Sequence, residues 1–221
     1  QTRRVVKPQP ADGKHLEGWV IDSTNAKDIG KACWGRGCGA LSYDNERIRC
    51  PYGQPGDLLW VREAFSGPWG CRRLKPSEWP VGCPIWYWTD GNVAGFEATP
   101  PKPSIHMPRW ASRRALQITD VRVQRLQDIR EADACAEGLR VYNEDDAILY
   151  YSALATESEW PAGWHLNPVD AFRELWQSIN GPESWDVNPW VWSLSFRVIH
   201  ANVDAVLAYP AAYGVEVRNA A

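Results

Sequence analysis

The chain has 221 residues, which is enough to bury one good core and suits one enlarged domain better than two. Its formal net charge of −3 argues against a protein whose main task is to coat nucleic-acid phosphate, because that task needs an excess of Lys and Arg. No apolar run approaches the roughly 20 residues that cross a bilayer, and no signal peptide opens the chain. We therefore expect a cytoplasmic protein with no membrane partner. Because the chain starts with Gln1 rather than Met, we also expect residues upstream of it.

The charges are spread unevenly along the chain. Residues 1–75 carry 13 basic and 8 acidic side chains, and residues 102–130 carry 7 and 2. Residues 131–200 carry 3 basic and 12 acidic side chains. A basic face beside an acidic one would seat a phosphate while the whole molecule avoids non-specific binding. The alternative is that the two halves simply pair with each other in the fold.

Tryptophan and cysteine are the two informative residue types. Fourteen Trp residues are several times ordinary usage, and Trp packs cores, lines pockets and stacks on flat ligands. We expect most of them to be packing residues. The six Cys residues contain no C-x-x-C pair and match no common zinc spacing, so we predict no metal, and we also predict no cofactor. Their thiols should be reduced, as is usual in the cytoplasm. A metal site built from Cys33, Cys38 and Cys50 with a distant fourth ligand is the alternative.

The first half of the chain predicts short strands separated by loops. Residues 17–22 are typical of a strand, and residues 30–57 indicate an irregular loop with a short hairpin. Pro55 and Gly56 suit the two central positions of a type II turn, and an apolar strand follows at 58–62. Residues 64–101 are rich in Trp, Pro and Gly, and we interpret them as an insertion that includes one strand.

The second half begins with the most basic loop of the chain and then predicts longer elements. Residues 102–114 contain three Arg, one Lys and two helix-forbidding prolines, and a long strand follows. Asp128 and Glu131 form a capping-box pattern that predicts a helix over 128–138, ended by Gly138. A second helix should begin at Asn167 and Pro168, and its apolar face is predicted to contain Val169, Phe172, Leu175, Trp176 and Ile179. Alternation predicts a final strand at 190–199.

In this order and spacing, the elements resemble the ASCH domain family of the PUA-like superfamily, and most closely the larger ASCH proteins of phages and prophages. Thr2 and Arg4 match the end of the family's Gly-x-Lys-x-x-Thr-x-Arg motif. Gly56 and Asp57 match its Gly-Asp strand, and Glu137 matches the acidic residue of its helix. The likeness covers about residues 1–10, 50–63, 102–138 and 168–199.

The resemblance implies an α+β fold, namely a small PUA-like (ASCH) β-barrel with helices at the barrel mouth and a Trp/Pro/Gly-rich insertion. It implies one domain over residues 1–200, with insertions at about 64–101 and 139–165. Residues 201–221 would be a C-terminal extension of unknown role. It also implies a phage- or prophage-encoded protein in the cytoplasm of a bacterial host cell.

The resemblance further implies a cleft at the barrel mouth that admits a base or nucleoside. In the family's acetylcytidine hydrolases a Lys, a Thr and a Glu converge there, and Thr2 and Glu137 match the second and third. The Lys would fall three residues before Thr2. Deacylation needs a base, a proton donor and an oxyanion donor, so Glu137 would shuttle the proton and Thr2 would either donate to the oxygen or orient the substrate. The alternative is that Glu137 is an exposed helical carboxylate and Thr2 a solvated terminal residue.

Basic and aromatic residues are the remaining candidates for ligand contacts. A guanidinium fork fits phosphate oxygens, so the candidates for phosphate contacts are Arg3, Arg4, Arg109, Arg113 and Arg114. The alternative is ordinary surface ion pairing with the acidic half. Trp60, Trp110 and His106 are the candidates for stacking on a base.

Three functions follow from these features. The sequence favours a binding module that recognises a nucleotide, an RNA or a modified base. The second hypothesis is a hydrolase, either an amidohydrolase of acylated cytidine or a ribonuclease. The third is a phage assembly or scaffold protein. The sequence indicates no particular oligomeric state.

Overall fold

The computed structural model describes residues 1–37, 45–91, 97–144, 148–156, 159 and 161–216. In this part of the chain strands predominate over a few short helices, which confirms the predicted α+β class; the PUA-like barrel stays a prediction. The chain divides into two compact units. The first unit consists of Gln1–Gln54 and Asp120–Ser195, and the second of Pro55–Thr119 and Phe196–Ala221. No helix within the described ranges has the length and apolar character required to cross a membrane.

The elements are named in chain order. The strands of the described residues are β1 (Thr2–Val5), β2 (His15–Trp19), β3 (Ala32–Gly35), β4 (Glu46–Ile48), β5 (Leu58–Trp60), β6 (Phe65–Ser66), β7 (Trp86–Tyr87), β8 (Ala115–Arg125), β9 (Arg140–Glu144), β10 (Ile148–Ser152) and β11 (Trp190–Ile199). The α-helices there are α1 (Glu131–Ala136), α2 (Pro168–Asn180) and α3 (Val203–Ala208). The largest sheet has the strand order β1-β11-β8-β5, and β8 and β11 each contribute residues to both units.

In the first unit, α1 and α2 pack on an apolar core. Its buried members are Leu126, Ile129, Ala134, Leu139, Ala171, Phe172, Trp176, Trp185 and Val191. The prediction for α2 is confirmed: the Asn167 side chain accepts a hydrogen bond from the Val169 N–H, and Gly181 follows the last turn with φ of 100°. One detail is wrong, because Ile179 is 68% exposed rather than part of the apolar face.

The predicted N-terminus of α1 is also wrong. The helix begins at Glu131 and not at Asp128, since Asp128 closes a preceding 3-10 turn, where its carboxylate accepts a hydrogen bond from the Arg125 N–H at 3.3 Å. Local hydrogen bonding by Asp therefore competes successfully with helix capping. Gly138, with φ of 95°, ends the helix as expected.

A tryptophan cluster occupies another part of the first unit. Trp34 and Trp192 are fully buried, and their ring centroids lie 6.1 Å apart in an edge-to-face arrangement. The ring centroid of Trp19 lies 6.0 Å from that of Trp192, and the ring centroid of Trp190 lies 6.3 Å from that of Trp34. These four residues therefore serve mainly as packing, as predicted for most of the Trp residues.

In the second unit, Gly56 adopts φ of 95°, as the predicted turn requires, and β5 follows it. The predicted insertion forms β6, β7 and several 3-10 turns around a core of Phe65, Cys71, Trp79, Met107 and Ala111. The segment predicted as an extension of unknown role contains α3. Val203 and Val206 of α3 are buried against Ala115 and Ile199, so this segment helps to form the unit's second core.

Candidate functional sites

The first candidate site lies in the first unit, where β1 turns one of its two arginines inward. Successive side chains of a strand point to opposite faces, and Arg3 is paired in register with Ser193 of β11. The Arg3 side chain has no solvent exposure. Thr2 and Arg4 lie on the opposite face of β1, paired with Leu194 and Trp192.

Glu137 follows the last turn of α1, where it meets Arg3. The Arg3 Nη1 donates to Glu137 Oε1 at 2.5 Å, and its Nη2 lies 3.4 Å from Asp133 Oδ2. The Phe172 ring covers the guanidinium at 5.6 Å. The Glu137 side chain is only 7% exposed, so it is not the exposed helical carboxylate of the alternative interpretation.

Burial controls the electrostatics of this pair. Burial raises the pKa of Glu137, and the nearby Arg3 guanidinium opposes the rise. Burial likewise lowers the pKa of Arg3, while Glu137 and Asp133 act in the opposite direction. Arg3 Nε and Nη2 have no hydrogen-bond partner among the described residues.

Asp133 extends this ion pair into a larger cluster. Its Oδ1 accepts a hydrogen bond from Arg122 Nη2 at 3.2 Å, and Arg122 Nε lies 3.1 Å from Asp120. The structure thus brings Glu137 together with Arg3 and, through Asp133, with Arg122. Thr2, which the family motif pairs with Glu137, lies on the other face of its strand.

A second cluster, in the second unit, is built around Arg113. Its Nε and Nη2 donate to the two carboxylate oxygens of Glu63 at 2.9 and 2.8 Å. Its Nη1 and Nη2 also donate to the two oxygens of Asp90 at 2.5 and 2.8 Å. The guanidinium stacks 3.9 Å from the centroid of the Tyr87 ring, and Thr89 donates to Glu63 at 2.7 Å.

These contacts occupy the whole fork of Arg113. Hydrogen bonds from Arg113 lower the pKa of Glu63 and also that of Asp90, while the two carboxylates raise the pKa of Arg113 further above its usual range. Because Asp90 belongs to the predicted insertion and Arg113 to the basic loop, the cluster ties these two segments together. Glu63 was not predicted as a site residue, although it directly follows the strand singled out by the sequence.

The remaining predicted residues have varied surroundings. Arg109 forms an exposed ion pair with Asp204 at 2.7 Å, as in the alternative of surface pairing. Arg4 is exposed, and Arg114 lies 3.6 Å from Glu63. Trp60 and Trp110 are half-buried against the cores of the second unit. His106 is exposed and lines a cleft.

That cleft is the third candidate site, and we call it the basic cleft. Its basic residues are Arg73, Lys75, Lys102 and His106, and its volume is about 760 Å³. Among the described residues no carboxylate lines it. Apolar and Pro side chains form the rest of the wall, together with Ser77.

The basic cleft is fixed to the buried core beneath it. The backbone of Lys102 exchanges two hydrogen bonds with Phe65, at 3.1 and 2.7 Å. His106 ends a 3-10 turn, and the next residue, Met107, is buried in the core. The Lys75 N–H donates a hydrogen bond to the Glu78 carboxylate at 2.9 Å, so this carboxylate is bound to the backbone and does not line the cleft.

Sequence reasoning found one half of the basic cleft and missed the other. His106 was predicted as a ligand contact, and Lys102 belongs to the loop recognised as basic. Arg73 and Lys75 were missed because they lie in the segment interpreted as a decorating insertion. The signal present in the sequence was the run of basic residues at 72–75. It is hidden when charges are summed over the whole of residues 1–75.

Metal ligation receives no support from the described residues, among which no group of three His, Cys, Asp or Glu side chains is placed to hold an ion. Cys33 and Cys50 are buried free thiols, and burial raises the pKa of Cys50. Cys38, the third member of the alternative metal site, lies outside the described residues.

Comparisons of the chain with protein-family models, with curated proteins and with solved structures found no match. The resemblance to the ASCH family therefore stays a prediction from the sequence motifs.

Proposed function

We propose that this chain is an ASCH-type, PUA-like protein that binds a nucleotide or RNA and holds phosphate in the basic cleft. The observation that carries the proposal is the convergence of Arg73, Lys75, Lys102 and His106 on one cavity without an opposing carboxylate among the described residues. Lys and Arg supply nearly all of the phosphate attraction in nucleic-acid binding. Phosphate contacts are thus concentrated at one site of a protein that is acidic overall.

The charge balance of the two units supports this assignment. The second unit carries ten basic and seven acidic residues, a formal charge of +3. The first carries 14 basic and 20 acidic residues, a formal charge of −6. A basic site in an otherwise acidic protein attracts anions locally without coating the molecule with nucleic acid.

The walls of the basic cleft supply surface for a base. Leu74 and Ile105 present exposed side chains beside the cations, and His106 offers a flat ring. Stacking of one base on a protein ring contributes about 1–3 kcal/mol, and such stacking tolerates any base. The cleft is therefore suited to recognising a phosphorylated nucleotide by its charge and flat shape more than by the identity of its base.

The test is RNA binding by the full chain, followed by fluorescence anisotropy at several salt concentrations. The Lys75→Ala/Lys102→Ala variant should bind at least tenfold more weakly. It should also lower the slope of log K against log salt by about 1.4, since each single-strand phosphate contact contributes about 0.7.

The matched control is Lys27→Ala/Arg130→Ala, which removes two exposed cations from the first unit. Its affinity and salt slope should stay close to those of the parent protein. Equal losses in the two double variants would show that binding responds only to net charge, and the assignment to the basic cleft would then be wrong.

Hydrolysis is the second candidate function, and the burial of Glu137 favours it. Burial raises the pKa of this carboxyl group, as suits a group that stores and releases a proton. We therefore expect that any turnover of acetylcytidine or of short RNA by the full-length protein would be abolished in Glu137→Gln. Glu131→Gln, which changes an exposed carboxylate of α1, should retain that turnover.

A further inference from the structure

The chemistry of the basic cleft narrows the class of ligand that it accepts. We propose that the ligand presents a terminal phosphate group, at a free nucleotide or at a phosphorylated RNA end, rather than an internal phosphodiester. This inference rests on the proposed function, because it assumes that the cleft binds a nucleotide. It adds that the terminal phosphate is the part of the nucleotide that enters the basic cleft.

Charge density is the first argument. Four basic side chains surround one cavity of about 760 Å³. An internal phosphodiester brings a single negative charge, whereas a phosphate monoester carries about −1.5 to −2 at neutral pH and three strong acceptor oxygens. Several basic side chains around one cavity match the concentrated charge of a terminal group better than the evenly spaced charges of a strand.

The kinds of donor support the same conclusion. Arg73 offers a planar fork that can hold two phosphate oxygens at once. Lys75 and Lys102 act as point charges, and Ser77 adds a hydroxyl to the same lining. No hydrogen bond or ion pair within the described ranges engages the charged groups of Arg73, Lys75 or Lys102. Their donors are thus available to a ligand.

The size and walls of the basic cleft are the third argument. Pockets for small ligands span about 300–1,000 Å³, so a cavity of this volume accepts about one nucleotide rather than a run of them. Pro76, Pro101 and Pro103 line it and have no N–H to donate. The polar contacts therefore come from the basic side chains and the Ser77 hydroxyl, while the prolines and Ile105 face the ribose and base.

The rigid setting of the basic cleft makes such discrimination effective. Lys102 is held through its backbone by β6, and Met107 anchors the turn that carries His106. A backbone that is already held in place need not be ordered when the ligand binds, which lowers the entropic cost of binding. A doubly charged end should therefore be favoured clearly over a singly charged internal group.

The experiment uses the full chain and a 3′-labelled oligoribonucleotide of one sequence, with either a 5′-phosphate or a 5′-hydroxyl. We expect the phosphorylated form to bind at least tenfold more tightly. This preference should disappear in Lys75→Ala/Lys102→Ala and persist in Lys27→Ala/Arg130→Ala. Arg73→Lys, which keeps the charge and removes the fork, should retain only part of it.

The outcomes separate this inference from the proposed function. Equal affinity for the two oligonucleotides, with both weakened by Lys75→Ala/Lys102→Ala, would overturn the terminal-phosphate inference and leave the binding function intact. No binding of either would overturn both. Competition by a nucleoside monophosphate but not by its nucleoside supports a free nucleotide as the ligand. A preference seen only among oligonucleotides supports an RNA end.

Discussion

The guanidinium of Arg3 and the carboxylate of Glu137 meet across 134 residues of sequence, at 2.5 Å between Nη1 and Oε1. Both side chains are almost completely buried. Each group has lost its water and depends on the other, because burial alone favours the neutral form of both. The contact also joins β1 to the end of α1, so it fixes the first unit as well as the candidate site.

Arg3→Met should strongly destabilise the protein, because it leaves the Glu137 carboxylate buried without its partner. Removal of one member of a buried ion pair typically costs about 3–5 kcal/mol. The variant should unfold at a clearly lower urea concentration at neutral pH. Part of the loss should be recovered on acidification, because in this variant the pKa of Glu137 in the folded protein would lie above its pKa in the unfolded chain. The recovered stability is fully present below the unfolded-state pKa and is lost as the pH rises through the folded-state pKa.

The control for this prediction is the double variant Arg3→Met/Glu137→Leu. It replaces both charges by apolar groups, and such replacements of buried pairs are often close to neutral. We therefore expect the double variant to be more stable than Arg3→Met alone. If the stability loss of the double variant instead equalled the summed losses of Arg3→Met and Glu137→Leu, the two side chains would not be coupled as the geometry indicates.

For Glu63 we expect the opposite dependence of protein stability on pH. Hydrogen bonds from Arg113 lower the pKa of Glu63 in the folded protein. Its contribution to stability is therefore present above the ordinary Glu pKa of about 4.3 and lost as the pH falls through the folded-state value. Urea midpoints measured between pH 6 and pH 3, about the range in which carboxylates titrate, should fall less steeply in Glu63→Gln than in the parent.

The comparison for Glu63 is Glu131→Gln, since Glu131 is an exposed carboxylate on α1. Its pH profile should follow that of the parent protein. Identical slopes for Glu63→Gln and the parent would mean that Arg113 does not hold the Glu63 carboxylate in solution.

Local signals explain why α2 and β11 were predicted correctly. Asn167, Pro168 and Gly181 mark the two ends of α2 within the sequence itself, and apolar and polar residues alternate along β11 from Trp192 to Val198. Such features act between residues a few positions apart, so they can be recognised without the fold. Asp128 shows the limit of this reasoning, because two local hydrogen-bonding patterns competed for the same carboxylate.

The candidate sites depend on contacts that no local pattern encodes. The motif led to Thr2 as the neighbour of Glu137, whereas strand alternation places Arg3 there, and a shift of one residue exchanges the two faces of a strand. The two halves of the basic cleft, around Lys75 and Lys102, come together only because both pack on the same core. Their position in one cleft could be found only from the structure.

Asn202 should be important for the stability of the second unit. Its side-chain NH₂ group lies within hydrogen-bonding distance of the backbone oxygens of Arg109, Trp110 and Ser112, at 3.0, 3.1 and 2.8 Å. Its Oδ1 accepts a hydrogen bond from the Asp204 N–H and so caps α3. Asn202→Ala removes both functions, and we expect a loss of about 2–4 kcal/mol in urea unfolding, given about 1 for the cap and 0.5–1.5 for each of the two hydrogen bonds that an NH₂ group donates.

Asn202→Ser separates the two functions of Asn202. Ser retains the cap but is too short to reach the loop carbonyls, so this variant should recover about 1 kcal/mol relative to Ala. An Ala variant as stable as the parent would show that the loop at 109–112 does not depend on this side chain.

Gly67 and Gly70 form a matched pair for the packing of the predicted insertion. A Cβ atom at Gly67 would overlap the indole ring of Trp79, which is buried in the core and packs edge-to-face on Phe65 at 5.5 Å. Overpacking of this kind costs about 1–3 kcal/mol, so Gly67→Ala should lower the urea midpoint. At Gly70 a Cβ atom meets nothing within 4 Å, and Gly70→Ala should stay within about 0.5 kcal/mol of the parent. Because both changes add one methyl group to the same segment, their difference isolates the contact with Trp79. Equal stabilities of the two variants would mean that the ring can move aside, and that the core beneath the basic cleft is less rigid than its burial indicates.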